Sequence, residues 1–250
     1  MMLLAIDIGN TNINLGLFSG RRLKKRCFIP TKEKNYCPRL NKFLGKRKKT
    51  IQDVIICSVV PKSSQALAKD LKRLFGKRPI IIGKDINVPI KNLYRRPRQV
   101  GQDRLVNAYA ASMLYGAPLI VVDFGTAVTF DVISKNKEYL GGMILPGLGI
   151  SLDSLAEKTA LLPRITLSRP REFIGRDTKN SMLSGIVYGF AAMTDDLASR
   201  IKRIIGRKAK VIATGGNIGL MANYCRKIDK IDPDLTLKGL ALICNRNTAA

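Results

Sequence analysis

The sequence predicts an α/β protein made of two related halves, and three observations lead to that prediction. A short apolar strand pattern at residues 3–7 ends in Asp-x-Gly, and the same pattern returns at residues 119–123. After each copy, a tight turn leads to a second strand pattern that runs back as in a β-hairpin. Stretches with helical spacing of apolar residues follow in both halves, so each half combines strands with helices.

The first half is predicted from short apolar or alternating runs that end at turn residues. One helix carries Leu67, Leu71 and Leu74 at helical spacing, and Gly116 suits the end of another. The predicted elements are strands at 3–7, 13–18, 22–29, 54–59 and 80–82, helices at 63–75 and 103–115, and a basic, proline-containing loop at 94–100.

The second half repeats the opening of the first, with Asp123 closing its first strand as Asp7 closes the earlier one. This match indicates an internal duplication, with domains at 1–116 and 117–250. The predicted elements are strands at 119–123, 129–134, 139–145 and 211–213, and helices at 148–160, 182–205 and 235–245.

Composition is that of a globular protein, with 46% hydrophobic residues, but 44 Lys and Arg against 18 Asp and Glu give a net charge of +26. Such charge attracts nucleotides, phosphates or nucleic acids, but an excess spread over solvated surfaces is the favoured interpretation. The basic residues are spread over separate stretches without interleaved aromatic residues, so we expect no nucleic-acid partner. The stretches lie at 21–26, 46–49, 95–98 and 200–210.

The chain contains no histidine, which excludes histidine-based metal sites, catalytic triads and imidazole bases. A general base would therefore be a carboxylate or, less favourably, Lys, Tyr or Cys. Its five cysteines are odd in number and form no Cys-x-x-Cys, which favours a reducing compartment. No signal peptide or membrane span is predicted, and we expect a cytoplasmic protein.

Two turns could hold phosphates. In the first, which is Asp7-Ile8-Gly9-Asn10-Thr11-Asn12, backbone N–H groups and short polar side chains could face an anion, and Asp7 could hold Mg²⁺. An ordinary hairpin turn explains this segment equally well. Asp123-Phe124-Gly125-Thr126 recurs at the matching position, and Thr214-Gly215-Gly216 follows a later strand where a nucleoside could approach the backbone. Neither a P-loop nor a Gly-x-Gly-x-x-Gly motif after a strand is present.

A further polar segment, Gly101-Gln102-Asp103-Arg104, enters a predicted helix. The carboxylate of Asp103 could accept the proton of a substrate hydroxyl during phosphoryl transfer, and Arg104 could bind a carboxylate or phosphate. The structural alternative is that Asp103 complements the helix dipole.

Together these motifs resemble the type III pantothenate kinase family. The resemblance rests on Asp-x-Gly-Asn-Thr at the start, Gly-x-Asp-Arg-Leu-x-Asn-Ala from 101 and Asp-Phe-Gly-Thr-Ala-x-Thr from 123. Later matches are Tyr139-Leu140-Gly141-Gly142, Pro146-Gly147, Thr159 to Pro163 and Gly175-Arg176-Asp177-Thr178. The resemblance implies two duplicated ribonuclease H-like domains of the actin-like ATPase fold. Each would be a mixed sheet flanked by helices, with nucleotide in the cleft.

The resemblance also implies roles for individual residues. ATP would be bound with Mg²⁺ at Asp7, and Asp123 would hold a monovalent cation, K⁺ or NH₄⁺. Asp103 would be the catalytic base on pantothenate. The ATP-binding residues would be Asp7, Ile8, Gly9, Asn10, Thr11, Asn12 and Thr126. The substrate-binding residues would be Tyr94, Gly101, Gln102, Asp103, Arg104 and Thr178, the last from the second subunit of a homodimer.

Two other functions remain open on sequence grounds. The chain could be a superfamily kinase acting on another small hydroxyl compound, although the Gly-x-Asp-Arg match disfavours this. It could also be a basic regulatory or nucleic-acid-binding protein on the same fold, whose binding would weaken steeply with salt. Retention of Asp7, Asp103 and Asp123 argues against a degenerate kinase.

Overall fold

The computed structural model describes residues 2–33 and 35–247. The chain forms two compact units. The first contains the residues up to Ile90, Arg95–Ala110 and the residues from Asp234 onward, and the second contains Lys91–Tyr94 and Ala111–Pro233.

Strands make up one mixed sheet in each unit. They are β1 (Met2–Ile8), β2 (Asn12–Ser19), β3 (Arg22–Pro30), β4 (Ile51–Ser58), β5 (Ile80–Ile81), β6 (Leu119–Phe124), β7 (Ala127–Ile133), β8 (Tyr139–Pro146), β9 (Lys210–Thr214) and β10 (Lys230–Ile231). The α-helices are α1 (Cys37–Leu44), α2 (Pro61–Phe75), α3 (Gln102–Tyr115), α4 (Leu148–Lys158), α5 (Thr178–Ile205), α6 (Ile218–Met221) and α7 (Leu235–Asn247).

The two sheets have the same topology. The first has the strand order β3-β2-β1-β4-β5, and the second has β8-β7-β6-β9-β10. In each sheet the first three strands pair antiparallel and the remaining pairs are parallel. This repeat confirms the predicted fold class of two mixed sheets flanked by helices.

The core of the first unit forms where apolar side chains of the sheet meet helices. Helix α2 starts at Pro61, whose missing N–H costs nothing in a first turn, and Gly76, with φ of 69°, caps its C-terminal end after Phe75. It buries Leu67 and Leu71 against the sheet. Helix α1 contributes Leu40, Phe43 and Leu44 to the same core, and its apolar residues thus recur at i, i+3 and i+4.

Helix α7 belongs to the first unit although it comes last in the chain. It packs on β1, β2 and β4, and Leu237 and Leu240 are buried there. Gly239 allows a close approach to α3, because an added Cβ would lie 2.7 Å from Val106 Cγ1. The units therefore differ from the expected continuous ranges 1–116 and 117–250, since apolar packing returns the last helix to the first sheet.

The second unit packs α5 and α6 against its sheet, with Val187, Ala191 and Ile201 of α5 in the core. Helix α5 begins at Thr178, four residues before the predicted start, because the side chain of Asp177 caps it by accepting a hydrogen bond from Asn180 N at 2.8 Å. No helix among residues 2–33 and 35–247 is long and apolar enough to cross a membrane.

Candidate active site

The first predicted phosphate-binding turn joins β1 to β2, and its backbone carbonyls are already bonded inside the protein. Val59 N donates to Ile8 O, Thr31 Oγ1 donates to Gly9 O at 2.7 Å, and Gly9 N donates to Asn12 O at 3.0 Å. An anion approaching this turn therefore meets few free backbone acceptors. The side chains of Asn10, Thr11 and Asn12 are exposed at the turn.

Asp7 lies at the end of β1, half-buried beside the turn. Asn14 Nδ2 donates to Asp7 Oδ2 at 3.1 Å from the paired position in β2. Burial raises the pKa of Asp7 to about 7, the Asn14 hydrogen bond opposes the rise, and the charge of Asp103 adds to it. The pKa of Asp7 is thus sensitive to whatever positive charge binds beside it.

Asp103 lies in the first turn of α3, and its charge acts on Asp7. The charges of both carboxylates act on Cys57, which pairs with Asp7 in β4, and they help to raise the pKa of its buried thiol. Burial also raises the pKa of Asp103, while the backbone N–H and the charge of Arg104 lower it. A carboxylate with a raised pKa is a stronger proton acceptor than an exposed one, which suits a general base.

Glycines fix the position of the segment around Asp103. An added Cβ on Gly101 would lie 2.5 Å from Asp103 Oδ1, so a side chain there would displace the carboxylate. Arg104 N donates to the same oxygen at 2.9 Å. Gly83, with φ of 78°, leaves room for the side chain of Gln102, which an added Cβ would meet at 2.8 Å. Sequence reasoning missed the role of Gly83, which only the tertiary contact reveals.

The second unit places Asp123 at the position equivalent to Asp7, at the end of its first strand. Its carboxylate lies among glycines, because an added Cβ on Gly125 would lie 3.1 Å from Asp123 Oδ1 and one on Gly215 would overlap it. Gly215 has φ of 97°, which favours glycine. Asn217 N donates to Phe124 O at 3.0 Å and ties the segment after β9 to this turn.

Thr126 is exposed in the β6–β7 turn. This turn is covered by Gly147, where any Cβ would collide with the carbonyl oxygen of Thr126. Within the described parts of the chain, no group of three Cys, Asp or Glu side chains could hold a metal ion. A cation site at Asp123 or at Asp7 would therefore combine one or two carboxylates with other oxygen donors.

Tyr94 belongs to a short strap, Lys91–Tyr94, that runs along Tyr139 in the second unit. Leu93 N donates to Tyr139 O at 2.9 Å, and Tyr139 N donates to Lys91 O at 2.8 Å. Gly141 leaves space for the ring of Tyr94, which an added Cβ would meet at 3.4 Å.

Buried polar groups hold Tyr139 beneath this strap. Its hydroxyl donates to Asp131 Oδ1 at 2.8 Å, and Asp131 also accepts from Thr129 Oγ1 at 3.3 Å. The sequence motif around Gly141 pointed to this region, but the support from Asp131 was missed.

The structure thus brings Asp7 together with Asp103 in the first unit, and Asp123 together with Gly125 and Gly215 in the second. Gly101, Gln102 and Arg104 accompany Asp103. Thr178 is the exposed first residue of α5 in the second unit.

Comparisons with solved structures agree with this fold. An activator of 2-hydroxyisocaproyl-CoA dehydratase from Clostridium difficile, solved with bound ADPNP, aligns with a TM-score of 0.58 at 13% identity, covering 100% of this chain and 96% of that one. A Campylobacter jejuni protein named for the Baf family of transcriptional activators aligns with a TM-score of 0.61 at 20% identity, covering 98% of both chains. At these identities the likeness shows the fold alone.

Sequence comparisons are closer. The type III pantothenate kinase of Moorella thermoacetica is 43% identical over 99% of this chain and 100% of its own length. That of Myxococcus xanthus is 41% identical over the full length of both chains. The family model for type III pantothenate kinase matches residues 3–200, a range that includes Asp7, Asp103 and Asp123. The chain therefore belongs to the type III pantothenate kinase family.

Proposed function

We propose that this protein phosphorylates pantothenate with ATP to give 4′-phosphopantothenate, the first step of coenzyme A biosynthesis. The observation that carries the proposal is the full-length match to type III pantothenate kinases. The pairing of Asp7 with Asp103 beside an exposed polar turn supports it, because phosphoryl transfer requires an anion site next to a base.

Asp103 acts as the general base in this proposal. The primary hydroxyl oxygen of pantothenate bonds to the γ-phosphorus of ATP, and the bond from that phosphorus to the β,γ-bridging oxygen breaks to release ADP. The hydroxyl proton passes to the Asp103 carboxylate. Its raised pKa favours proton acceptance, and Gly101 keeps the carboxylate in place.

The turn from Asp7 to Asn12, including Ile8 and Gly9, would bind the ATP phosphates through Asn10, Thr11 and backbone N–H groups. Thr126 would be a further phosphate ligand. The single carboxylate of Asp7 fits Mg²⁺, which prefers one or two carboxylates together with phosphates and water. Bound Mg²⁺ would neutralise charge on the transferring phosphoryl group.

Asp123 would hold the monovalent cation, K⁺ or NH₄⁺. Its carboxylate is half-buried among the glycine backbones of Gly125 and Gly215, so oxygen donors can approach without side chains intervening.

Pantothenate would contact Tyr94, Gly101, Gln102 and Arg104. A buried guanidinium suits the carboxylate of pantothenate or a phosphate oxygen, and Arg104 is 9% exposed. The strap that carries Tyr94 is held by backbone hydrogen bonds to Tyr139, which keeps the Tyr94 ring in a defined position.

A homodimer would complete the site by supplying Thr178 from the second subunit. The irregular segment before Thr178 exposes large apolar side chains, with Leu161 91%, Phe173 68% and Ile174 76% exposed. Such a patch is typical of a protein interface. Light scattering of the purified protein tests this assembly. Five free cysteines accord with the cytoplasm, where we propose that the enzyme works.

The deciding experiment measures ADP release from ATP and Mg²⁺ with and without pantothenate, in K⁺ and in Na⁺ buffer. We expect turnover that requires pantothenate and is faster in K⁺. Asp123→Ala should raise the K⁺ concentration for half activation about tenfold, a loss of about 1.4 kcal/mol. Equal K⁺ stimulation in the variant would remove Asp123 as the ligand, and turnover with another hydroxyl compound in place of pantothenate would change the substrate.

A further inference from the structure

The basic residues that look scattered in the sequence meet at one end of the first unit. At the start of β1, Met2 pairs with Ser19 at the end of β2 and with Ile51 at the start of β4. The β2–β3 turn and the 3₁₀ helix Gly45–Thr50, which leads into β4, therefore lie at the same edge of the sheet.

Two hydrogen bonds bring further segments to this edge. Asn245 Nδ2 of α7 donates to Gly20 O in the β2–β3 turn at 3.5 Å, and Lys77 Nζ after α2 donates to Gln52 O at 3.4 Å. Four chain segments thus place cations together. We call this surface the basic pole, and it consists of Arg21, Arg22, Lys46, Arg47, Lys48, Lys49, Lys77, Arg78 and Arg246.

No ion pair between the described residues neutralises the charge of the basic pole. All nine side chains except the half-buried Lys48 belong to exposed residues. None of them lies within 4.0 Å of a carboxylate among residues 2–33 and 35–247. Asp53 is close by in β4, but it is half-buried and its charge acts on the Cys244 thiol of α7.

We propose that the basic pole binds the phosphate backbone of a nucleic acid. Like charges held together in rigid segments repel one another, and a polyanion with regularly spaced phosphates relieves that repulsion while releasing its counterions. The 3₁₀ helix Gly45–Thr50 already has an internal hydrogen bond without a ligand, since Thr50 Oγ1 donates to Arg47 O at 2.8 Å.

A membrane surface fits the pole less well. Basic surfaces that attach to lipid generally add exposed apolar side chains that enter the interface. In the described part of the first unit, the large apolar side chain left exposed is Phe28, which pairs with Asn14 towards the other end of the sheet. Contacts to a nucleic-acid backbone need only Lys, Arg and other polar donors.

The pole is separate from the proposed active site. Asp7 lies five residues after Met2 in β1, which corresponds to about 17 Å along the strand. The inference therefore does not rest on the proposed function, and kinase turnover serves as a control for folding.

The test compares two variants that remove equal charge. The pole variant carries Arg21→Gln, Lys46→Gln, Arg47→Gln and Lys49→Gln. The control variant carries Lys135→Gln, Arg203→Gln, Arg207→Gln and Lys208→Gln, which are exposed positions of the second unit. Fluorescence anisotropy with a labelled duplex DNA of mixed sequence gives affinities over a series of KCl concentrations.

We expect the parent protein to bind with an affinity that falls steeply with salt. The pole variant should bind at least about tenfold more weakly, and its salt slope should be smaller by about 3 to 4, since each phosphate contact contributes about 0.9. The control variant should stay near the parent, and both should keep kinase turnover.

Three results would overturn the proposal. The parent could fail to bind the DNA, or the two variants could lose affinity equally, which would mean that net charge alone causes binding. The third result concerns phosphatidylglycerol vesicles. If the parent bound them more tightly than it binds DNA, and only the pole variant lost that binding, the pole would be a lipid-binding surface.

Discussion

The two units place an aspartate at the same point of the same topology, yet give it different neighbours. Asp7 lies opposite Asn14 and Cys57, with a second carboxylate, Asp103, close enough to affect its pKa. Asp123 lies opposite Thr129 and Thr214 instead, and glycine backbones surround it. The shared topology therefore fixes where the carboxylate lies, while the surrounding residues decide its electrostatic environment.

The difference extends to the next residue along the parallel strand. Cys57 and Thr214 are the residues paired with Asp7 and Asp123 on those strands. In the second unit Gly215 takes a positive φ and closes over Asp123, whereas Ser58 has the corresponding place beside Asp7 in the first. Asp7 thus has a second carboxylate, Asp103, near enough to affect its pKa, whereas glycine backbone atoms enclose Asp123.

The largest expected effect comes from removing the carboxylate of Asp103, which lies near Asp7 in the first unit. Asp103→Asn keeps the size of the side chain but cannot accept a proton, so turnover should fall by about 10² to 10⁴. ADP release checks this, and ATP binding and the unfolding transition should match the parent. Turnover near that of the parent would mean that Asp103 is not the base.

A second experiment tests the electrostatic environment of Asp7. The pKa of Asp7 is raised from 3.8 to about 7. Between these two pH values the folded chain keeps a proton on Asp7 that the unfolded chain has lost. The stability that this proton provides is complete below the unfolded pKa and is lost as pH rises through the folded one. Asp7→Asn stays neutral, and we expect its free energy of unfolding, relative to the parent, to rise across this window by at most about 4 kcal/mol.

Urea unfolding of the nucleotide-free protein at about pH 5 and about pH 8 gives the measurement for Asp7→Asn. Asp153→Asn, at an exposed position of α4, is the matched control and should follow the parent at both pH values. A constant difference between Asp7→Asn and the parent would show that the Asp7 carboxylate does not titrate across this range.

The smallest effect concerns the enclosure around Asp123. Gly215→Ala forces a Cβ against the Asp123 carboxylate at a φ of 97°, so it should lower stability by about 1 to 3 kcal/mol. Gly216→Ala, where an added Cβ meets nothing within 4 Å, should change stability by less than about 0.5 kcal/mol. Equal unfolding midpoints for the two variants would contradict a tight enclosure.

Local patterns predicted most of the strands and helices, because each depends on apolar spacing or on a turn residue close in sequence. The strands ending at Asp7 and Asp123 and the helix from Leu235 are examples. Helix α1 was missed because it has only eight residues and begins with Cys37-Pro38. Its burial depends on the sheet rather than on its own pattern.

Contacts between distant segments could not be predicted in the same way. That α7 returns to the first sheet, that Gly83 makes room for Gln102, and that Asp131 supports Tyr139 all depend on tertiary packing. The sequence motifs supplied the residues that we propose for the site, but the burial that raises the pKa of Asp7 and Asp103 became visible only in the fold.

The late return of α7 has a consequence for protein synthesis. Helix α3 carries Asp103 and rests on α7, where Thr236 Oγ1 donates to Asn107 Oδ1 at 2.7 Å. A ribosome releases α7 only after the intervening residues of the second unit, so the second unit can fold while the first still lacks a wall of its core. The helix bearing the proposed base is therefore secured by α7 only after the second unit has left the ribosome.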